Sequence, residues 1–196
     1  DFETRLKDRS FAESEVAMRY GLSQAHLRGD NIAAADRELD IIRRLKAVAP
    51  MIETLAAQLR LKHKDATGAV VILRAAQRQF PQERAIAYAL VESLLDAGLP
   101  QEAIKVTEEE LLAYTSDARM HELQAKTYAK LGKRLQQHRA QAEAYALRAQ
   151  ISAALEQLQF AQKAGDGNFY EQSQVDARVR ELKKRMEDEA KQAKLK

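Results

Sequence analysis

Apolar residues along this chain recur at intervals of three and four, the spacing that lines one face of a helix. The pattern is clearest from Ala85 to Tyr114. Ile86, Ala87, Leu90, Val91, Leu94 and Leu95 form one apolar face, and Ala103, Ile104, Thr107, Leu111 and Leu112 form a second. Gly98 between them suits a helix end with left-handed backbone. Pro100 suits the first turn of the next helix, where its missing N–H would have had no partner. The stretch predicts a helical hairpin.

The same unit recurs. Gly132 lies 34 residues after Gly98, Lys64-Asp65 lies 34 before Gly98-Leu99, and Gly29-Asp30 lies a further 35 before that. Ala34, Ala69 and Ala103 each follow a break, where one helix must approach its partner closely.

Taken in order, residues 1–10 read as a polar lead-in, and Ser10 with Glu13 forms a capping box. A first helix is expected from Phe11 to Arg28, with Val16, Tyr20 and Leu27 toward a core. A second runs from Asn31 to Val48 with the stripe Ile32, Ala35, Leu39, Ile42 and Leu45, and Pro50 ends the unit. Met51 to His63 pairs with Ala66 to Gln79, closed by Phe80-Pro81. Ser116-Asp117 caps a helix from Ala118 to Leu131 in which Leu123, Ala125 and Tyr128 look inward.

After Gly132 the rhythm shortens. Helical sequence runs from Lys133 to Leu147 and breaks at Arg148 to Ile151, about half a repeat on. Ala154, Leu155, Leu158 and Ala161 then follow as a second-helix pattern. The economical account is a helix, Gln136 to Leu147, shared by two hairpins. Gly165 to Asn168 makes a loop, and the tail carries a narrow stripe of Val175, Val179, Leu182 and Met186. That suits a capping helix over the last edge of an array, frayed beyond about Glu189. The hairpins fall at about 11–49, 50–81, 83–115, 117–147 and 136–164, within an array spanning 11–168 and a cap spanning 169–196.

A helix-turn-helix period near 34 resembles the tetratricopeptide repeat (TPR). Pro81, Ala57 and Ala76 occupy places the repeat pattern favours, although its tryptophan is absent. The resemblance implies an all-α fold, a TPR-type helical hairpin solenoid of about four to five units plus a C-terminal capping helix.

Composition agrees with that reading and narrows the chemistry. With 7 Gly and 3 Pro in 196 residues, few segments are built as loops. No apolar run reaches the length of a membrane span, and the opening Asp1-Phe2-Glu3 lacks the apolar core of a secretory signal. A first residue other than methionine suggests a piece of a longer protein. Zero cysteine excludes disulfide and thiol chemistry. The 32 basic and 29 acidic residues are interspersed, without the basic stripe of a nucleic-acid binder. The densest basic cluster, Lys183 to Arg185, is followed at once by Glu187 to Glu189, with which it pairs along a helix face.

No catalytic site emerges. His121-Glu122 opens like the zinc-peptidase motif H-E-x-x-H, but its fifth position is Ala125, so the second imidazole is missing. His26, His63 and His138 lack a partner at helical spacing. Phosphate-binding glycine loops and nucleophile elbows are absent, and Glu108 to Glu110 lie on a solvated helix. The chain is read as non-catalytic, with no cofactor or metal of its own.

What remains is a surface. In TPR arrays the first helix of each hairpin lines the inner wall. The corresponding residues here are Arg19, Ser23 and His26, then Thr54, Gln58 and Leu61, then Tyr88, Glu92 and Leu95, then Glu122, Lys126 and Ala129. The lysine-asparagine clamp with which one TPR subclass holds a C-terminal carboxylate has no counterpart at Arg19, Ser23 or Thr54. A mixed wall of this kind suits a protein partner or an extended peptide. It equally suits contacts within a parent protein.

Two stretches go further: LGKRLQQHRAQAEAY from Leu131 and LEQLQFAQKAGDGNFYEQSQVDARVREL from Leu155. With the half step between them, they resemble the C-terminal TPR region of periplasmic zinc metallopeptidases of the beta-barrel assembly-enhancing type. That resemblance implies a periplasmic location and a zinc site only in an N-terminal peptidase domain outside this chain. It also implies a scaffold role in outer-membrane protein assembly and quality control. Its partners would be the barrel-assembly machinery, unfolded outer-membrane proteins or the peptidase domain itself, and not nucleic acid or a membrane. The alternative is a free-standing TPR adaptor or assembly scaffold with no protease attached.

Overall fold

A computed structural model describes residues 15–193. The lead-in 1–10, the Ser10–Glu13 capping box and a helix start at Phe11 lie outside the described residues, as do residues 194–196. Among the described residues there are ten α-helices and no strand. They are α1 Glu15–Arg28, α2 Ile32–Arg44, α3 Pro50–Lys62, α4 Ala66–Gln79, α5 Arg84–Asp96, α6 Pro100–Ala113, α7 Ala118–Lys130, α8 Arg134–Leu147, α9 Ile151–Lys163 and α10 Phe169–Ala193. The chain divides into two compact units, residues 1–93 and 94–196, with the division inside α5.

The repeat is set by how first helices end. Asp30, Lys64, Gly98 and Gly132, each 34 residues after the last, have positive φ of 56°, 60°, 72° and 72°. Each break carries the same bond: Asn31 N–H to His26 carbonyl, Asp65 to Arg60, Leu99 to Leu94 and Lys133 to Tyr128, all 2.8–3.0 Å. This six-to-one closure satisfies carbonyls that a helix end would leave open. Glycine meets the left-handed requirement without strain at two breaks, and Asp30 and Lys64 meet it with a side chain in place.

The half step has the same cause. Ala149 has φ 59°, and Gln150 donates to the Tyr145 carbonyl at 2.9 Å, so α8 ends with the motif that elsewhere ends first helices. α4 and α6 instead end at Phe80 and Tyr114 without a left-handed residue.

In the first unit, α1 packs on α2, α2 on α3, and α3 on α4. The core joins Ala35, Leu39 and Ile42 of α2 to Ile52, Leu55, Ala56 and Leu59 of α3. Val16, Tyr20 and Leu27 lie against it only partly buried. The most buried side chains of α1 are Met18, Leu22 and Ser23. Two expectations need correction. α2 stops at Arg44, leaving Leu45 and Val48 exposed, and Pro50 opens α3 at its first turn instead of closing the preceding hairpin. A proline ring that cannot continue a helix is equally well suited to starting one, and spacing alone did not choose between them.

In the second unit, α6 packs on α7, and α8 packs on α7, α9 and α10. Ala140, Ala142, Ala144 and Ala146 of α8 are all buried, so several neighbours approach its backbone closely. Leu135, Ile151, Leu155, Leu158, Val175 and Leu182 fill the core around it. Lys133 offers no side-chain cap to α8. Asp166, from the loop before α10, supplies one by accepting the Arg134 and Leu135 N–H groups. Gly167 packs so tightly on Leu135 that an added Cβ would lie 2.2 Å from its Cδ1. Asn168 and Glu171 then cap each other's N–H groups at the start of α10, both at 2.9 Å. The apolar stripe of α10 ends at Leu182, since Met186 is exposed.

Candidate binding wall on the first helices

The residues predicted to line the wall fall into different surroundings. Ser23 of α1 is fully buried and donates to the Ala35 carbonyl of α2 at 3.0 Å, so it belongs to packing. Arg19 bonds Glu15 at 2.8 Å and Glu38 of α2 at 2.9 Å. Burial works against its charge, but these two carboxylates hold the guanidinium above its usual range. His26 is half-buried. Thr54 turns its hydroxyl back to the Met51 carbonyl of its own helix. Gln58 is exposed and Leu61 half-buried, both on α3.

Tyr88 and Glu92 are half-buried on the part of α5 in the first unit, and Leu95 is half-buried on the part in the second. Glu122 of α7 is bonded to Arg148, which holds its carboxyl below the usual range. Lys126 is exposed, as is Ala129.

The misplacement on α1 has a definite origin. The sequence reading set Gly29 against Lys64, a step of 35, whereas the left-handed residues are Asp30 and Lys64, a step of 34. A one-residue slip turns the chosen face by about 100°. Corrected, the α1 counterparts of Thr54, Gln58 and Leu61 are Tyr20, Gln24 and Leu27.

Those residues do meet. Gln24 Nε2 donates to Tyr20 Oη at 3.2 Å and to Gln58 Oε1 of α3 at 3.3 Å. A cleft of about 370 Å³ lies between the helices, lined by Gln24, Leu27 and Arg28 of α1 and Gln58, Leu61 and Lys62 of α3. Each pair is one repeat apart. The strict 34-residue register was the signal that could have found Leu27, Arg28 and Lys62 in the sequence.

A second cleft, about 470 Å³, lies within the other unit among α7, α8 and α10. Several of its polar side chains are tied to one another. Arg178 of α10 grips Glu143 of α8 with two bonds, 2.9 and 2.6 Å, and reaches Glu181 at 2.7 Å. His121 bonds the Thr115 carbonyl through Nε2 at 3.2 Å, and its Nδ1 is buried with no hydrogen-bond partner.

Ala125 stands where a second imidazole is needed, and no group of three metal-binding side chains occurs among the described residues. No helix among them is long and apolar enough to cross a membrane.

Comparison with known proteins fits this geometry. Residues 60–127 match the tetratricopeptide repeat family. MamA 41-end from Desulfovibrio magneticus RS-1 is 19% identical, with a TM-score of 0.61 over 87% of this chain and 96% of that one. The MamA RS-1 ArsTM double mutant is also 19% identical with a TM-score of 0.61, over 89% and 97%. TTC0263, a thermophilic TPR protein in Thermus thermophilus, is 16% identical with a TM-score of 0.55, over 83% and 97%. No curated protein matches the chain. At such identities the likeness speaks to the fold, and the fold of this chain is of the tetratricopeptide-repeat type.

Proposed function

We propose that the chain is a non-catalytic protein-interaction scaffold that holds an extended segment of a partner against its first helices. The observation carrying this reading is the α1–α3 cleft, where Leu27 and Leu61 remain only partly covered beside the Gln24–Gln58 pair. An apolar centre with polar groups along its rim is the usual anatomy of a protein interface. A peptide-display screen against the full chain tests it. Peptides selected by the chain should lose most of their affinity for a Leu61→Glu variant of unchanged circular dichroism. Equal binding by both proteins would remove the cleft from the account.

We further propose, from the resemblance of residues 131–182, that the array works beside a periplasmic zinc metallopeptidase of the beta-barrel assembly-enhancing type. The zinc would lie in that domain and not here. Presentation is then the mechanism: a partner held along the first helices has a raised effective concentration near the tethered catalytic site. Replacing Tyr88 and Leu95 by aspartate should weaken capture of purified barrel-assembly components, and unchanged capture would count against this assignment. The rival, a free-standing adaptor, makes the same use of the cleft. Sequencing the open reading frame upstream of Asp1 separates the two, since the protease reading requires H-E-x-x-H and a signal peptide there.

A further inference from the structure

We propose that the α1–α3 cleft recognises an internal peptide segment in which an apolar anchor is followed by acidic side chains. This rests on the interaction-scaffold reading and specifies the ligand of that site. The strict repeat places like on like across the two helices: Gln24 with Gln58, Leu27 with Leu61, Arg28 with Lys62. The cleft therefore has three levels, an amide pair, an apolar pair and a basic pair, each built twice.

Each level selects a chemistry. The two leucines, half-buried, offer apolar surface that an aliphatic or aromatic side chain would take out of water. Gln24 spends its N–H groups on Tyr20 and Gln58, which leaves its carbonyl and the Gln58 NH₂ for a ligand's main chain. The third level carries two cations. Lys62 bonds Asp30 at 3.1 Å, but both groups are substantially exposed, at 48% and 78%. An exposed pair of that kind contributes little and yields readily to a better placed carboxylate. Glu15 and Glu38, the other acids bonded to α1, are committed to Arg19.

The basic level is shared by these two hairpins, is interrupted at α5 and returns at Lys130 of α7. At the same register α5 carries Glu92, Leu95 and Asp96, so by sequence its third level is acidic. A ligand in the α1–α3 cleft is thereby asked for carboxylates at its third level, beside Arg28 and Lys62.

Fluorescence anisotropy on the full chain tests this with a short labelled, end-amidated peptide holding one leucine followed by two glutamates. Three companions are a glutamine peptide, a lysine peptide and a serine-for-leucine peptide. The glutamate peptide should bind at least about tenfold tighter than the glutamine peptide, with the gap closing in high salt. The serine peptide should bind weakly.

The exposed double variant Arg28→Glu/Lys62→Glu should reverse the order, preferring lysine to glutamate. Equal affinity for the glutamate and glutamine peptides, with Leu61→Glu still abolishing both, would overturn acidic selection while leaving the cleft as a peptide site. No binding of any peptide would overturn both. A requirement for a free C-terminal carboxylate would overturn recognition of an internal segment.

Discussion

The α1–α3 side of the first unit and the α8–α10 face of the second each bring together two helices separated by one other in the chain, yet they spend their polar groups differently. Between α8 and α10 side chains 35 residues apart, one more than the repeat, bond each other: Gln136 with Glu171, Arg139 with Gln174, Glu143 with Arg178. Burial opposes the charge of Arg178, and its carboxylate bonds more than offset that, so the guanidinium stays above its usual range. Between α1 and α3 the amides bond, Lys62 holds the exposed Asp30 just after α1, and the leucines remain partly open. Spacing along the chain decides which residues become neighbours. Residue type decides whether the neighbours close on each other or wait for a partner.

The contrast can be broken most forcefully in the cores. Leu158→Ala, at a fully buried position in the second unit, should cost about 2–5 kcal/mol in urea unfolding, whereas Leu61→Ala should cost clearly less. If the two cost the same, Leu61 is a core residue and the cleft is not available.

Next come the helix ends. Gly132→Ala, at φ 72°, should destabilise by about 1–2 kcal/mol, and Lys64→Gly, at φ 60°, should be neutral or raise the melting temperature. Opposite signs at two copies of one break would show that the motif, and not the glycine itself, is what repeats.

Asp166 gives a smaller, pH-dependent effect. Burial pushes its carboxyl up, and the bonds from the backbone of Leu135 and Arg134 more than reverse that, leaving it below the usual range. A depressed carboxyl stabilises the fold above its unfolded pKa of about 3.9, and that contribution fades as pH falls through the lower folded value. Asp166→Ala should cost about 1 kcal/mol at neutral pH, as for loss of a helix cap. Its urea midpoint should converge with that of the parent in acid. At the low end, Lys62→Gln breaks an exposed ion pair and should change stability by less than about 0.5 kcal/mol. A cleft cation that can be removed without penalty is available for binding.

The hairpins were legible in the sequence because two of four breaks carry glycine and because the apolar spacing of α5 and α6 is clean. The register at the first break was not. Gly29 stands beside the residue that turns left-handed, and Asp30 can adopt that conformation despite its side chain. That single step assigned Arg19, Ser23 and His26 to places that the 34-residue register gives to Tyr20, Gln24 and Leu27. Ser23 was invisible as a core residue for a related reason: its hydroxyl finds the Ala35 carbonyl, so a polar side chain is buried without penalty. The cap on α8 could not be read either, since Asp166 lies 31 residues from the N–H of Leu135 that it accepts.

The most direct test follows the amide resonances of the full chain by NMR as the leucine-glutamate peptide is added. The account predicts shifts gathered on α1 and α3, including the side-chain amides of Gln24 and Gln58, while α8 and α10 stay still. Shifts centred on Arg139, Glu143 and Arg178, with α1 and α3 unmoved, would contradict it.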